Sequence, residues 1–162
     1  MRTTFDIGNE AEAVVLGHYA KAGLRVCIPF GTGGPYDLAV DTVTRIVKVQ
    51  VKTATFGKGC IQCKTRRRNA SYDRTMRRYE KGEVDYFAIY CPQLNELYGI
   101  SFEAANMSAS LRIEPTGNKQ EKYIRWAKDY SWEKHIMELK SEWRGRDLNS
   151  RPTGYESVAL TS

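Results

Sequence analysis

Four side chains stand out by type and spacing. Asp37 enters the apolar run PYDLAVD, Gln50 and Lys52 sit two residues apart in TRIVKVQVKT, and Glu12 lies in IGNEAEAVV. Placing a carboxylate or an ammonium on strands that hide one face is costly unless the charge is paired or holds a metal. A hard divalent cation held by carboxylates beside a lysine is a set suited to hydrolysing a phosphodiester. Taken singly, Lys52 reads as a lysine snorkelling from a strand end, and Asp37 as a turn residue after Pro35-Tyr36. The case for chemistry therefore rests on whether the four meet.

The elements that would bring them together can be read from periodicity. Side chains alternate along a strand, so Lys48, Gln50 and Lys52 share one face while Val47, Val49 and Val51 share the other. A hairpin turning at Thr42–Val43 pairs Asp41 with Thr44, Ala39 with Ile46 and Asp37 with Lys48, which gathers Asp37, Gln50 and Lys52 on one surface. A slip of one residue would scatter them. Upstream, Thr3 and Asp6 form the pattern of a capping box. From there Ile7, Ala11, Val14, Val15, Tyr19 and Ala22 recur at helical spacing as far as Gly23. Glu12 precedes Val15, Leu16 and Tyr19 by three, four and seven positions, so it borders the packed stripe, whereas Glu10 is expected in solvent.

The rest of the chain reads as an α/β domain. LRVCIPF predicts a short strand, GTGGP a loop, and GCIQCKT a third strand of the hairpin's meander. Residues 66–83 are expected to be a long mobile loop, in part helical. VDYFAIYC is apolar throughout, as in a strand covered on both faces, with ELYGIS as its partner across PQLN. SFEAAN predicts a helical turn, SLRIEP a short strand, and WEKHIMELKSEW a last helix capped by Ser131, with Trp132, Ile136, Leu139 and Trp143 on one face. Residues 1–144 are expected to form one domain, and the polar, aperiodic stretch 145–162 a disordered tail.

The 162 residues, 41% of them hydrophobic, supply a core for one such domain. No apolar run approaches the roughly 20 residues that a membrane helix needs, and the N-terminal stretch has no apolar secretory core. Four cysteines are too few for a disulfide scaffold, so the expected compartment is the cytoplasm, with reduced thiols. Cys60-x-x-Cys63 lacks the second pair a zinc site needs. The formal net charge is +6, and residues 64–83 hold eight Lys/Arg against three acids, so one short stretch carries +5 of it. Such clustering is the footprint of a polyanion partner. The candidates for gripping it are Lys64, Arg66, Arg67, Arg68, Arg74, Arg77 and Arg78, interleaved with Asn69, Ser71, Tyr72 and Tyr79.

The ordered set of IGNEAEAVV, VCIPFGTGGPYDLAVD, VKVQVKT, YEKGEVDYFAIYCP and LRIEPTGNKQEKYIRWAKDY resembles the PD-(D/E)xK nuclease superfamily, and within it the group I intron-associated, homing-type endonucleases. The resemblance spans roughly residues 5–130. It implies a restriction-endonuclease-like core, a mixed central sheet flanked by helices, and Mg²⁺-dependent, site-specific cleavage of double-stranded DNA, with Mn²⁺ able to substitute. By that resemblance Glu12, Asp37, Gln50 and Lys52 take the catalytic positions. Asp37 is then the main metal ligand, Glu12 a second or water-mediated one, and Lys52 the group that stabilises phosphate charge or orients the attacking water. Gln50 departs from the commoner acid; its amide oxygen still ligates a metal but adds no charge. A homo-oligomer, dimer or tetramer, on a partly palindromic target is also implied. Two rivals stand beside this reading: a junction-specific nuclease such as a Holliday junction resolvase, and a DNA-binding module that does not cut.

Overall fold

Thr3 begins the first helix for the reason its sequence gives. Its hydroxyl accepts the Asp6 N–H at 3.2 Å while an Asp6 carboxylate oxygen accepts the Thr3 N–H at 2.8 Å, so two amides that a helix start leaves bare are satisfied reciprocally. The helix, α1, runs Thr4–Lys21 and buries Ala11, Val15 and Tyr19. The structure is a computed structural model and describes residues 2–31, 33–68, 75–115 and 122–144.

Among the described residues ten strands follow: β1 (Arg25–Cys27), β2 (Leu38–Asp41), β3 (Ile46–Thr53), β4 (Thr55–Gly57), β5 (Cys60–Cys63), β6 (Arg66–Arg68), β7 (Met76–Arg78), β8 (Tyr86–Cys91), β9 (Glu96–Ser101) and β10 (Ala109–Arg112). A short 3-10 turn (Ala127–Tyr130) leads into helix α2 (Trp132–Arg144). The main sheet has the order β1-β2-β3-β8-β9. Only β3 and β8 run parallel within it, and the others are antiparallel. The chain between β3 and β8 is therefore the crossover a parallel pair requires, and it contains β4 through β7.

Alternation along β8 sorts the core into two. Tyr86, Ala88 and Tyr90 join Val47, Val49 and Val51 of β3 with Ala11, Val15, Tyr19, Trp132 and Leu139 of the helices. Phe87, Ile89 and Cys91 join Ile61 and Cys63 of β5, Leu111 of β10 and Tyr79. Both faces of β8 are covered, which is why its six residues are all buried and why its sequence shows no polar alternation. β3 is covered on both faces as well, yet it presents Lys48, Gln50 and Lys52 opposite its valines.

Three expectations are corrected. GCIQCKT does not extend the hairpin's meander. As β5 it lies in a separate three-stranded sheet of order β10-β5-β4, where Ile61 and Cys63 face the second core. The basic stretch is a two-stranded ribbon where it is described, β6 against β7, and residues 69–74 lie outside the described residues. The hairpin turns one residue later than expected. Thr42 closes it by sending both its N–H (3.1 Å) and its hydroxyl (3.0 Å) to the Arg45 carbonyl, and Val43 takes φ 68° with its N–H on the Asp41 carboxylate at 2.8 Å. The ladder becomes Leu38↔Val49, Ala39↔Lys48 and Val40↔Val47. That is a slip of two residues from expectation, and an even slip keeps every side chain on its predicted face.

In α2, Trp132, His135 and Leu139 are buried and Ile136 packs beside them, so this face closes the monomer's own core. The Trp143 side chain and the whole of 145–162, expected as a tail, lie outside the described residues.

Candidate active site

Asp37 stands just ahead of β2, and its backbone N–H donates to the Val49 carbonyl at 3.0 Å. One carboxylate oxygen, Oδ2, accepts the Val51 N–H at 2.8 Å and also the Gln50 side-chain amide. Gln50 is 8% exposed, and its Nε2 also donates to the Val51 carbonyl at 3.2 Å. The amide nitrogen is thus committed, while its oxygen and Asp37 Oδ1 accept no hydrogen bond among the described residues. Burial raises the Asp37 pKa, and the Val51 amide, the Lys52 charge and the Gln50 amide offset part of that. Lys52 is held below its usual range, chiefly by burial, with Arg67 pushing the same way and Asp37 and Cys63 opposing.

Glu12 arrives from α1, the helix on the valine face, and is half buried. Its pKa is raised by burial and by the Asp37 charge. Two partly desolvated carboxylates that repel one another, with one free oxygen on Asp37 and a free amide oxygen on Gln50, form a hard, all-oxygen donor set. This fits a divalent cation, which would remove the repulsion that raises Glu12. Asp37 bonds to Gln50 and feels the Lys52 charge on the same sheet face, and Glu12 feels the Asp37 charge from the helix layer. Glu10 is tied to Arg2 instead.

The described part of the basic ribbon adds residues that sequence reasoning misplaced. Tyr79, expected to face DNA, is 4% exposed and packs edge-on against Phe87 with ring centroids 5.2 Å apart. Lys52 Nζ and the Arg67 guanidinium carbon lie 5.6 and 5.7 Å from the centroid of that same Tyr79 ring. Arg67 and Arg77 stand directly opposite each other in the ribbon, a repulsive pairing that Glu83 resolves. Glu83 accepts Arg67 at 3.0 Å, Arg77 at 2.6 and 2.9 Å, and the Glu80 N–H at 2.8 Å. Those bonds hold its carboxyl near a pKa of about 2. Arg78 donates to the Ala105 carbonyl at 3.0 Å and lies over Phe102. Lys64 and Arg68 are exposed, Arg66 is half buried, and Arg74 lies outside the described residues. Glu83 was legible only as one acid inside a basic run; nothing in spacing alone reveals which arginines it joins.

A mixed sheet flanked by helices, with a Pro-x-Asp entry, a strand carrying Gln-x-Lys and a helix glutamate converging beside it, defines a nuclease of the PD-(D/E)XK type. The comparisons agree: the PD-(D/E)XK endonuclease family model matches residues 2–133, and the chain belongs to that family. No curated protein matches it in sequence. Among solved structures it resembles a bacterial homing endonuclease, I-Ssp6803I, with a TM-score of 0.70 and 22% identity over 90% of this chain and 99% of that one. Among the described residues no helix is long and apolar enough to cross a membrane.

Proposed function

We propose that this protein is a Mg²⁺-dependent, site-specific endonuclease of double-stranded DNA, of the homing type, acting as a homo-oligomer. The observation that carries the reading is Asp37 fixed by Gln50 and the Val51 amide, with Glu12 and Lys52 near enough to exchange charge effects with it. Asp37, Glu12 and the Gln50 amide oxygen would hold the cation, and Mn²⁺ suits the same oxygen set. When bound, the ion supplies neutralisation of phosphate charge and acidification of a water. Lys52 is buried enough that its ammonium acts in a poorly screened site, where it stabilises the charge growing on the phosphate and orients the attacking water. Gln50 fixes Asp37 and brings no extra charge to the donor set. Lys64, Arg66 and Arg68, with Arg77 and Arg78 of the facing strand, supply the positive strip that follows the DNA backbone. The likeness to a homing endonuclease supports a long, specific target, and one site per chain supports a pair of copies for a two-strand cut.

The test is cleavage of pooled genomic fragments by the purified chain in Mg²⁺ and in Mn²⁺, followed by mapping of the ends. We expect one recurrent cut sequence in linear duplex and no cutting in EDTA. Lys52→Ala should lose cutting by at least about 10²-fold while binding the mapped duplex. Nicking of four-way junctions with linear duplex left intact would establish a junction nuclease instead. A shifted but uncut duplex with either metal would establish a binding module.

A further inference from the structure

Among the ribbon arginines, Arg67 is placed unlike the rest. Its side chain is 20% exposed. It is bonded to Glu83 at 3.0 Å and to the Gly33 carbonyl at 3.3 Å. Gly33, at φ 82°, belongs to the loop that delivers Asp37. Arg67 shares the Tyr79 ring with Lys52, both cations lying within 6 Å of its centroid. Arg67 lowers the Lys52 pKa and Asp37 raises it, while Glu83 pairs with Arg67, so the two cations sit close together with one acid beside each. A guanidinium carries five N–H donors, and the two bonds described leave three for a ligand.

Resting on the nuclease reading above, we infer that Arg67 is a further catalytic residue: its free N–H edge donates to a non-bridging oxygen of the scissile phosphate, opposite Lys52, and Glu83 is the positioning residue that aims it. Arg67 forms no covalent bond itself; it gives hydrogen bonds that strengthen as charge grows on the phosphate oxygens, while a water oxygen bonds to phosphorus, the P–O3′ bond breaks, and the water's proton is passed on as the 3′ oxygen leaves as a hydroxyl. Glu83 does this while bonded to Arg77 as well, so the ribbon that follows DNA and the cutting site share one carboxylate. Arg78 and Arg68 are placed differently: the first is spent on Ala105 and Phe102, and the second is exposed.

The experiment is single-turnover cleavage by the full-length chain, in excess over a duplex that the wild type cuts, with Kd measured on the same duplex in Ca²⁺. Arg67→Ala should slow the cut by about 10²–10³-fold, the loss typical of one preorganised donor, with Kd nearly unchanged. Arg67→Lys should not recover the rate, because the planar fork is missing. Added methylguanidinium chloride should restore part of the Arg67→Ala rate and none of the Lys52→Ala rate. Glu83→Gln should lower the rate less than Arg67→Ala, again with Kd held. An Arg67→Ala protein that cuts at the wild-type rate once saturated and shows only a raised Kd overturns the inference and makes Arg67 a backbone grip. So does a slow variant that methylguanidinium leaves slow and whose melting temperature has fallen, which makes it a structural pin. In both cases the wild type still cuts and the nuclease reading stands; a wild type inert in Mg²⁺ and Mn²⁺ removes that reading itself and this inference with it.

Discussion

Asp37 is ionised at a cost, and the cost has a sign. Its carboxyl is raised by burial despite three groups that favour the charge, so the folded chain holds that proton more tightly than the unfolded chain. Ionised Asp37 therefore subtracts stability in full above its folded pKa, and the penalty fades as pH falls through that value towards the unfolded one. We expect Asp37→Asn to melt higher than the wild type at pH 7 without metal, by about 0.5–2 kcal/mol. The advantage should shrink on acidification, as urea titrations at several pH values will show. Mg²⁺ should reverse the order, since a ligand that binds only the native state stabilises it: the wild type should gain melting temperature with added Mg²⁺ and Asp37→Asn should not. Gains that are equal in the two proteins would mean the ion binds elsewhere. The helix period put Glu12 at the edge of the packed stripe, and the shared face of Asp37, Gln50 and Lys52 was legible because the strand period fixes which side chains point together. The carboxylate in Glu83 and the plate of Tyr79 were not, because the pairing of Arg67 with Arg77 is a long-range fact that no local period encodes.

At the scale of elements, the sheet and the two helices are joined by one buried imidazole. His135 of α2 shares a hydrogen bond of 2.7 Å with the Tyr19 hydroxyl of α1 and packs against Tyr86 and Trp132 at 4.8 and 5.1 Å. The ring lies over Gly99 of β9, where any Cβ would collide with it. Burial pulls its pKa down to about 4, so the neutral form is the native one. Its stabilisation is complete above the ordinary histidine value near 6.5 and is lost as pH falls from there towards 4, with a slope of up to about 1.4 kcal/mol per pH unit. His135→Gln should flatten that limb of the urea-midpoint profile while lowering the plateau above it. Gly99→Ala should cost about 1–3 kcal/mol through overpacking, read as a lower melting temperature. Helical spacing puts His135 on the same face as Trp132 and Leu139, but its partners come from three other elements and cannot be read from that spacing. Likewise the fully apolar run of β8 announced a strand covered on both faces, whereas β5 was misassigned. Its two cysteines and isoleucine fit a strand in either sheet, and only the crossover between parallel β3 and β8 decides which.

For the molecule as a whole, the decisive quantity is how many active sites a cut requires. One chain brings one Asp37–Lys52 centre, and two antiparallel DNA strands present two scissile phosphates of opposite polarity. A two-fold pair of chains answers both with identical chemistry, whereas a lone chain must release, turn and rebind between strands. The two routes differ when active and inactive chains are mixed. In a pair assembled at random from wild type and Lys52→Ala, half of the pairs at equal mixing are hybrids with one working centre. Each hybrid nicks one strand and stays seated by the ribbon cations, which the mutation leaves alone. Supercoiled plasmid carrying the mapped target should then accumulate as open circles, rising and falling with the mixing ratio, while linear product falls faster than the wild-type fraction. Chains acting singly would instead give linear product in proportion to the wild-type chain added, with no excess of open circles. That proportional result, with the chain sedimenting as a monomer on its target, would remove the oligomer from the proposed function and leave the active site as described.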